Sequence, residues 1–342
     1  MKWPMENNTG NIRIFRIRSA MLVAVLVVMV AVLGGCESDD DCLNCVDLPP
    51  PVVPTGVHSI SGDDLVIVQW YDISYVPYDG SYNENVVTYH IYSRFYEEGD
   101  HAIPDREFFL IGEVPWDENY DEYTGLHWFD DYEAVNGDQY EYAVAAVNAA
   151  GNESALSFEF VVDAPLPMSP QNINGNFMPL TLHDGNGPQT NMSGFDFAEA
   201  AGNQDNFHAG RVDPAINSYD IEIVFESGVP YVLANPSRVV LQDFGVFSSD
   251  QGQLIFEGVS WAPADGYSQT GKIELVAGHI YVVEIQVPQL HYAKFGVTGT
   301  YSDPDPRSVD IIWAYQTIAG LPELKVPEDL ETGPTKPRIV SF

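Results

Sequence analysis

Cys42 and Cys45 stand two residues apart in a Cys-Leu-Asn-Cys run, the spacing of a dithiol redox pair or of half a zinc site. A redox pair needs a βαβ setting and zinc needs four ligands, yet no second CxxC or Cys/His pair follows. The run leads into Pro49-Pro50-Pro51, so a small local disulfide, or no chemistry at all, is the expectation. Carboxylates are the other abundant reactive groups, 50 in all, and they are spread too widely for a glycosidase pair to be singled out. The oxygen-rich loops Asp117-Glu118-Asn119-Tyr120-Asp121 and Asp184-Gly185-Asn186-Gly187 offer hard ligands to calcium. Neither follows the EF-hand spacing, and solvated acidic loops are expected there. No nucleophile elbow, HExxH helix, P-loop or dinucleotide fingerprint is present. A non-enzyme with no assigned metal ligands or catalytic residues is the reading.

The elements that would carry such groups are strands. The 342 residues are 45% hydrophobic and only 19% charged, with 19 Tyr, 17 Phe, 6 Trp, 28 Gly and 24 Pro, a supply of strand and turn formers that predicts an all-β protein with real cores. Charge is one-sided: 14 Lys plus Arg give a net of −36. A polyanion would be repelled, which excludes nucleic acid as a partner.

The amino terminus is an address. Ala20 to Gly35 is uncharged and apolar, follows Lys2, Arg13, Arg16 and Arg18, and ends at Cys36. Its 16 residues fall short of the roughly 20 of a membrane-spanning helix and fit a secretory signal. Leu33-Gly34-Gly35-Cys36 resembles a bacterial lipobox, which implies cleavage before Cys36, acylation of that cysteine and a membrane partner through lipid. The acidic run Glu37-Ser38-Asp39-Asp40-Asp41 resembles the surface-export signal of Bacteroidota-type lipoproteins, which implies an outer-membrane, surface-exposed location. Removing Lys2, Arg13, Arg16, Arg18 and Glu6 leaves 10 basic and 49 acidic residues, a net of −39 over 307 residues. Residues 36–53 then form an acidic, Pro-rich spacer.

Between 54 and 163, short alternating runs are separated by turn residues: Leu65 to Trp70, Val87 to Tyr92, Phe108 to Ile111 and Tyr140 to Val147. About seven such strands predict an immunoglobulin-like sandwich. Pro54-Thr55-Gly56-Val57, Val68-Gln69-Trp70, Tyr89-His90-Ile91-Tyr92, Ile111-Gly112 and Tyr140 to Ser154 resemble a fibronectin type III domain along its whole length. The resemblance makes Trp70 the core tryptophan and Tyr140 the corner tyrosine whose hydroxyl bonds back to the backbone. Tyr75 to Asn85 and Pro115 to Leu126 are longer, more acidic and more aromatic than the usual connections, and there is no Arg-Gly-Asp.

Ala164 to Pro170 reads as a stiff Pro-rich linker. A second β-rich, sandwich-like domain is expected over 171–326, from the runs Tyr219 to Phe225, Tyr231 to Ala234, Ile280 to Val287, Tyr292 to Val297 and Val309 to Gln316, with a tail over 327–342. Phe195-Asp196-Phe197, Ser218-Tyr219-Asp220-Ile221, Tyr281-Val282-Val283, His291 to Phe295 and Ile312 to Gln316 resemble, in their order, HmuY-type haem-binding lipoproteins. That resemblance implies a search for axial ligands. Met178, His183, His208, His279 and His291, with Met192 beside them, are the candidates, though no pair has a diagnostic spacing. Lys294 is expected to point to solvent rather than to a haem propionate.

The resulting expectation is a non-enzymatic, lipid-anchored cell-envelope protein. Its fibronectin module presents a C-terminal β-domain to an unidentified protein, carbohydrate or small-molecule ligand. Haem capture is the alternative and an accessory protein of a carbohydrate-active hydrolase the third reading; haem and calcium are the only cofactor candidates.

Overall fold

The computed structural model describes residues 48–327 apart from 74, 77–80, 83–85, 97–106, 160, 204–205, 207, 250–253, 269 and 304–305. Cys36, Cys42 and Cys45, the apolar leader and the acidic run lie outside the described residues. From Leu48 onward the chain belongs to one compact unit, and it is built almost wholly of strands.

The first half contains β1 (His58–Gly62), β2 (Leu65–Tyr71), β3 (Tyr75–Val76), β4 (Ser81–Tyr82), β5 (Val86–Phe95), β6 (Phe109–Pro115), β7 (Tyr120–Asp121), β8 (Leu126–Asp131), β9 (Tyr140–Asn148) and β10 (Val161–Asp163). One antiparallel sheet runs β1-β2-β8-β7 and the facing sheet β10-β9-β5-β6, with β3 and β4 as a separate hairpin. The A-B-E order of β1, β2 and β8 in one sheet and the G-F-C-C′ order of β10, β9, β5 and β6 in the other make the fibronectin type III arrangement of the sandwich. Both long connections carry strands: the first the β3–β4 pair, the second the strand β7, which pairs with β8 through Tyr120 and His127. Alternation along β2 buries Val66, Val68 and Trp70 against Tyr89, Ile91, Tyr142 and Val144 from the opposite sheet. The other face of β9 is also covered; there Arg94 on the neighbouring strand holds Glu141 at 2.7 Å. The run at Phe108 to Ile111 is displaced toward the chain's end, and Phe109, Leu110 and Ile111 of this edge strand remain exposed.

The second half contains β11 (Leu180–His183), β12 (Gly194–Phe195), α1 (Phe197–Gly202), β13 (Arg211–Val212), β14 (Ile221–Glu226), β15 (Val229–Ala234), β16 (Val239–Val246), β17 (Lys272–Glu274), β18 (His279–Ile285), β19 (His291–Tyr301) and β20 (Ser308–Gln316). A sheet ordered β11-β20-β19-β18-β16 faces one ordered β13-β12-β14-β15-β17. Their inner faces enclose Phe195, Ile221, Ile223, Tyr281, Phe295 and Trp313. The opposite face of the first sheet has its own core: Ile280, Val282, Ile312 and Ala314 pack under Leu166, Phe256, Leu324 and Val326 from irregular segments.

That second core corrects two expectations. The Ala164–Pro170 stretch is no free linker. Ala164 to Ser169 are buried, Ser169 N–H donates to Trp313 O and Tyr315 N–H to Pro167 O, and Leu166 N–H donates to Gly62 O in the first sandwich. The prolines withhold donors where no acceptor faces them, while Leu166 and Met168 fill the core; a buried leucine contributes about 1.5–3 kcal/mol. Nor does Lys294 reach solvent. Period-two alternation on β19 aims Ala293, Phe295 and Val297 into one core and Lys294 into the other. There Lys294 is 0% exposed and donates to the carbonyls of Phe256 and Val259 at 2.8 and 2.7 Å.

Candidate binding cleft

Trp70 is fully buried, edge-on to Tyr89 at 5.3 Å and stacked on His127 at 5.8 Å. Tyr140 opens β9, and its hydroxyl accepts from Val135 N–H at 3.0 Å, the geometry of a tyrosine corner. A second corner escaped the sequence reading: Tyr281 Oη accepts from Val276 N–H and donates to Glu274 O, at 2.9 and 3.0 Å.

The haem-ligand candidates are not brought together. His279 and His291 sit at opposite ends of the β18–β19 hairpin, since His291 pairs with Ile285 and His279 begins β18; six strand steps amount to about 20 Å. Their Nδ1 atoms are also engaged, His279 by Asp243 at 3.0 Å and His291 by Gln316 O at 3.1 Å. His183 closes β11, where burial, then Arg211, holds its pKa down. His208 is exposed in a turn, and Met178 and Met192 are half-buried in loops. The calcium-loop oxygens serve the backbone instead. Asp121 accepts from Tyr123 N–H and Thr124 Oγ1, and Asp184 from Asn186 and Phe225 N–H. Among the described residues no cluster of three or more metal-ligating side chains occurs, and no helix is long and apolar enough to cross a membrane.

What the fold does assemble is a cleft of about 690 Å³ between the two sandwiches. From the first come Phe95 and Tyr96, at and just beyond the end of β5, the corner Gly137-Asp138-Gln139, and Val162. From the second come Trp261 and the loop Ile318 to Glu323 that follows β20. The corner is fixed by Tyr96 N–H donating to Gln139 O and Asp138 N–H to Val135 O. Phe95 lies 5.2 Å from the Tyr140 ring, so the corner tyrosine also braces the cleft wall. The loop turns at Gly320, whose φ of +79° suits glycine and whose N–H donates to Leu290 O. Gln316 pins both its ends, with Oε1 accepting from Ile318 N–H and Nε2 donating to Glu323 O. Trp261 is held by a bridge to Glu323.

Beneath the cleft lies a buried ionic junction. Lys325 Nζ sits 2.6 Å from Glu323 Oε1 and 3.5 Å from Asp163 Oδ2, a residue of β10. Ser61 Oγ donates to the other Asp163 oxygen. Burial, then the Asp163 charge, pushes the Glu323 carboxyl up, and Lys325 pulls it partly back. Burial works against the Lys325 ammonium, but Asp163 and Glu323 together outweigh it and raise its pKa. None of Phe95, Trp261, Glu323 or Lys325 carries a sequence motif. Only the hydrophobic exposure of two aromatic side chains marks the place, and exposure is not readable from a string.

A comparable junction inside the second sandwich joins Asp220, Asp196 and Arg238. Arg238 Nη2 is 3.1 Å from the fully buried Asp220, whose other oxygen accepts from Phe197 N–H. Burial, then Asp196, pushes Asp220 up to about 6. With Asp220 0% exposed, the junction reads as structural.

No family model matches the chain, and no curated protein does. Solved structures do. An Fn3-like protein from Clostridium thermocellum aligns with 34% of this chain and 96% of its own, at 17% identity and a TM-score of 0.23. The FN5 domain of Drosophila Lar aligns with 34% and 97%, at 18% and 0.21. A DUF4466 family protein from Parabacteroides merdae aligns with 80% and 95%, at 10% and 0.35. The all-β, Fn3-like character of the first sandwich rests on its own strand order.

Proposed function

We propose that this is a non-enzymatic, lipid-anchored cell-envelope protein whose two sandwiches act as one binding body, with the cleft at their junction as the receptor site. The supporting observation is the junction itself. Lys325, 24% exposed, pairs with the buried Asp163 of one sandwich and the buried Glu323 of the other, so a cleft built from both halves keeps its shape. Clefts at domain boundaries of roughly 300–1,000 Å³ are favoured ligand sites. The leader, Cys36 and the acidic run following it supply the anchor and the route to the surface.

Two measurements test the reading. Palmitate labelling of cells should mark the full chain and leave Cys36→Ser unlabelled; equal labelling of both would remove the anchor. For the cleft, an environment-sensitive fluorophore is placed on Ala319→Cys, an exposed rim position, in a chain whose three native cysteines are serine. Soluble envelope extract should change its emission saturably, and an unchanged emission would remove the cleft as the receptor site. Turnover of glycoside or ester substrates by the full chain would overturn the non-enzymatic part.

A further inference from the structure

Two aromatic residues line the cleft, one from each sandwich, and both are partly exposed: Phe95 59% and Trp261 51%. Isolated exposed aromatics are ordinary on a surface; two lining one concavity, each with its back supported, are a different matter. Phe95 leans on Tyr140 at a 34° tilt. The Trp261 backbone is fixed by its bridge to that of Glu323, and the Lys325 ammonium lies 6.0 Å from its ring centroid. Rings fixed in this way lose little conformational entropy when a ligand lies on them. Beside them Asp138 is exposed and Gln139 half-buried, together offering a carboxylate and an amide for hydroxyl groups.

We infer that the cleft binds a neutral oligosaccharide, an inference that rests on the cleft being the receptor site. The flat C–H face of a pyranose stacks on an aromatic ring, and its hydroxyls require both donors and acceptors at the ring's edge. The cleft offers this combination. Charge narrows the class. Among the described residues no Lys or Arg lines the cleft, the nearby Lys325 is already held by Glu323 and Asp163, Asp138 adds a negative charge, and the whole chain carries −36. Uronate, sulfated and phosphorylated ligands are therefore repelled. Haem is disfavoured at this place because no His or Met among the described residues lines the cleft. A lipid would leave Asp138 and Gln139 facing hydrocarbon without partners, at a cost of the order of 1–3 kcal/mol each.

Native affinity electrophoresis of the full chain in detergent tests this. The gels contain a mannan, a xylan, a β-glucan, a galactomannan or starch, with polygalacturonate as the anionic comparison. At least one neutral polysaccharide should retard the chain and polygalacturonate should not. Trp261→Ala and Phe95→Ala should each weaken retardation about tenfold or more, and Trp261→Phe should keep part of it. Because Trp261 is half exposed, Trp261→Ala should keep the native melting temperature; the Trp261→Phe comparison holds if it does not. Absence of retardation in all five neutral gels, retardation untouched by Trp261→Ala, or equal retardation by polygalacturonate would overturn the carbohydrate inference. The Ala319→Cys fluorophore separates the two levels. A response to envelope extract with no neutral polysaccharide bound leaves the cleft standing and removes the sugar; silence in both removes both.

Discussion

Lys294 Nζ donates a 2.7 Å hydrogen bond to the carbonyl of Val259 from a position closed to solvent. The same nitrogen donates to Phe256 O and lies 4.4 Å from the Phe256 ring centroid. The lysine thereby ties the irregular segment covering the second core to the middle of a sheet.

Burial, offset in part by Glu257, holds the Lys294 pKa well below its ordinary 10.5. In the unfolded chain the amine takes up a proton as pH falls below 10.5, while in the fold it stays neutral until the lowered value is reached. The folded state is therefore penalised as pH falls through that window and relieved as pH rises. Compared with Lys294→Met, the native chain should gain about 1.4 kcal/mol per pH unit across it. Urea unfolding of both proteins between pH 7 and 10 measures the difference, and parallel curves would show a protonated amine in the fold.

Asp220 has the opposite charge and the opposite bias. Its folded pKa is raised from 3.8 to about 6 by burial and by Asp196. A raised carboxyl contributes stability that is fully present below 3.8 and is lost as pH rises through about 6. The native chain should thus lose stability relative to Asp220→Asn between these values, by roughly 3 kcal/mol if the whole shift is expressed. Thermal unfolding at pH 4, 5, 6 and 7 reads this, and a constant difference would contradict it.

The junction under the cleft makes a sharper demand. Lys325→Met leaves Asp163 and Glu323, 0% and 1% exposed, buried together without a cation. Breaking a buried pair from one side costs about 3–5 kcal/mol. Adding Glu323→Gln to Lys325→Met should recover a substantial part, because one of the two carboxylates is then neutral. Denaturant midpoints of the single and double variants decide the matter; a double variant no more stable than the single one would mean the charges do not interact.

The two tyrosine corners differ in a measurable way. Tyr140 Oη accepts one backbone hydrogen bond, whereas Tyr281 Oη accepts one and donates one. Each net hydrogen bond contributes about 0.5–1.5 kcal/mol and an orphaned buried group costs more. Tyr281→Phe should consequently destabilise the protein more than Tyr140→Phe. Unfolding in urea measures both, and the reverse order would show that Tyr281 has a substitute partner.

Several elements were legible from local pattern. The alternation in Leu65 to Trp70 gave β2 with Trp70 inward, and Tyr140 to Val147 gave β9, because side chains on a strand alternate faces and one face meets a core. Pattern also misled. Ala164 to Pro170 has the composition of a spacer, yet its three prolines suit a segment that must run along β20 without leaving buried donors unpaired. Lys294 has the chemistry of a surface residue, and only carbonyls from 35 and 38 residues away make its burial tolerable. The histidine and methionine candidates were chosen by residue type, but ligands are a matter of distance, and the β18–β19 hairpin holds His279 and His291 apart.

By itself the sequence determined the strand-rich class, the excess of acidic residues and the position of the first sandwich, since each depends on composition or on neighbours a few residues apart. Only the tertiary structure decided that Phe95 and Trp261 share a cleft, that Lys325 joins Asp163 to Glu323 beneath it, and that Lys294 is dry. Those relationships link Phe95 to Trp261 166 positions on, Asp163 to Lys325 162 positions on, and Lys294 to Val259 35 positions back. Their free energy depends on which groups lose water together, and that is settled when the sheets close on one another.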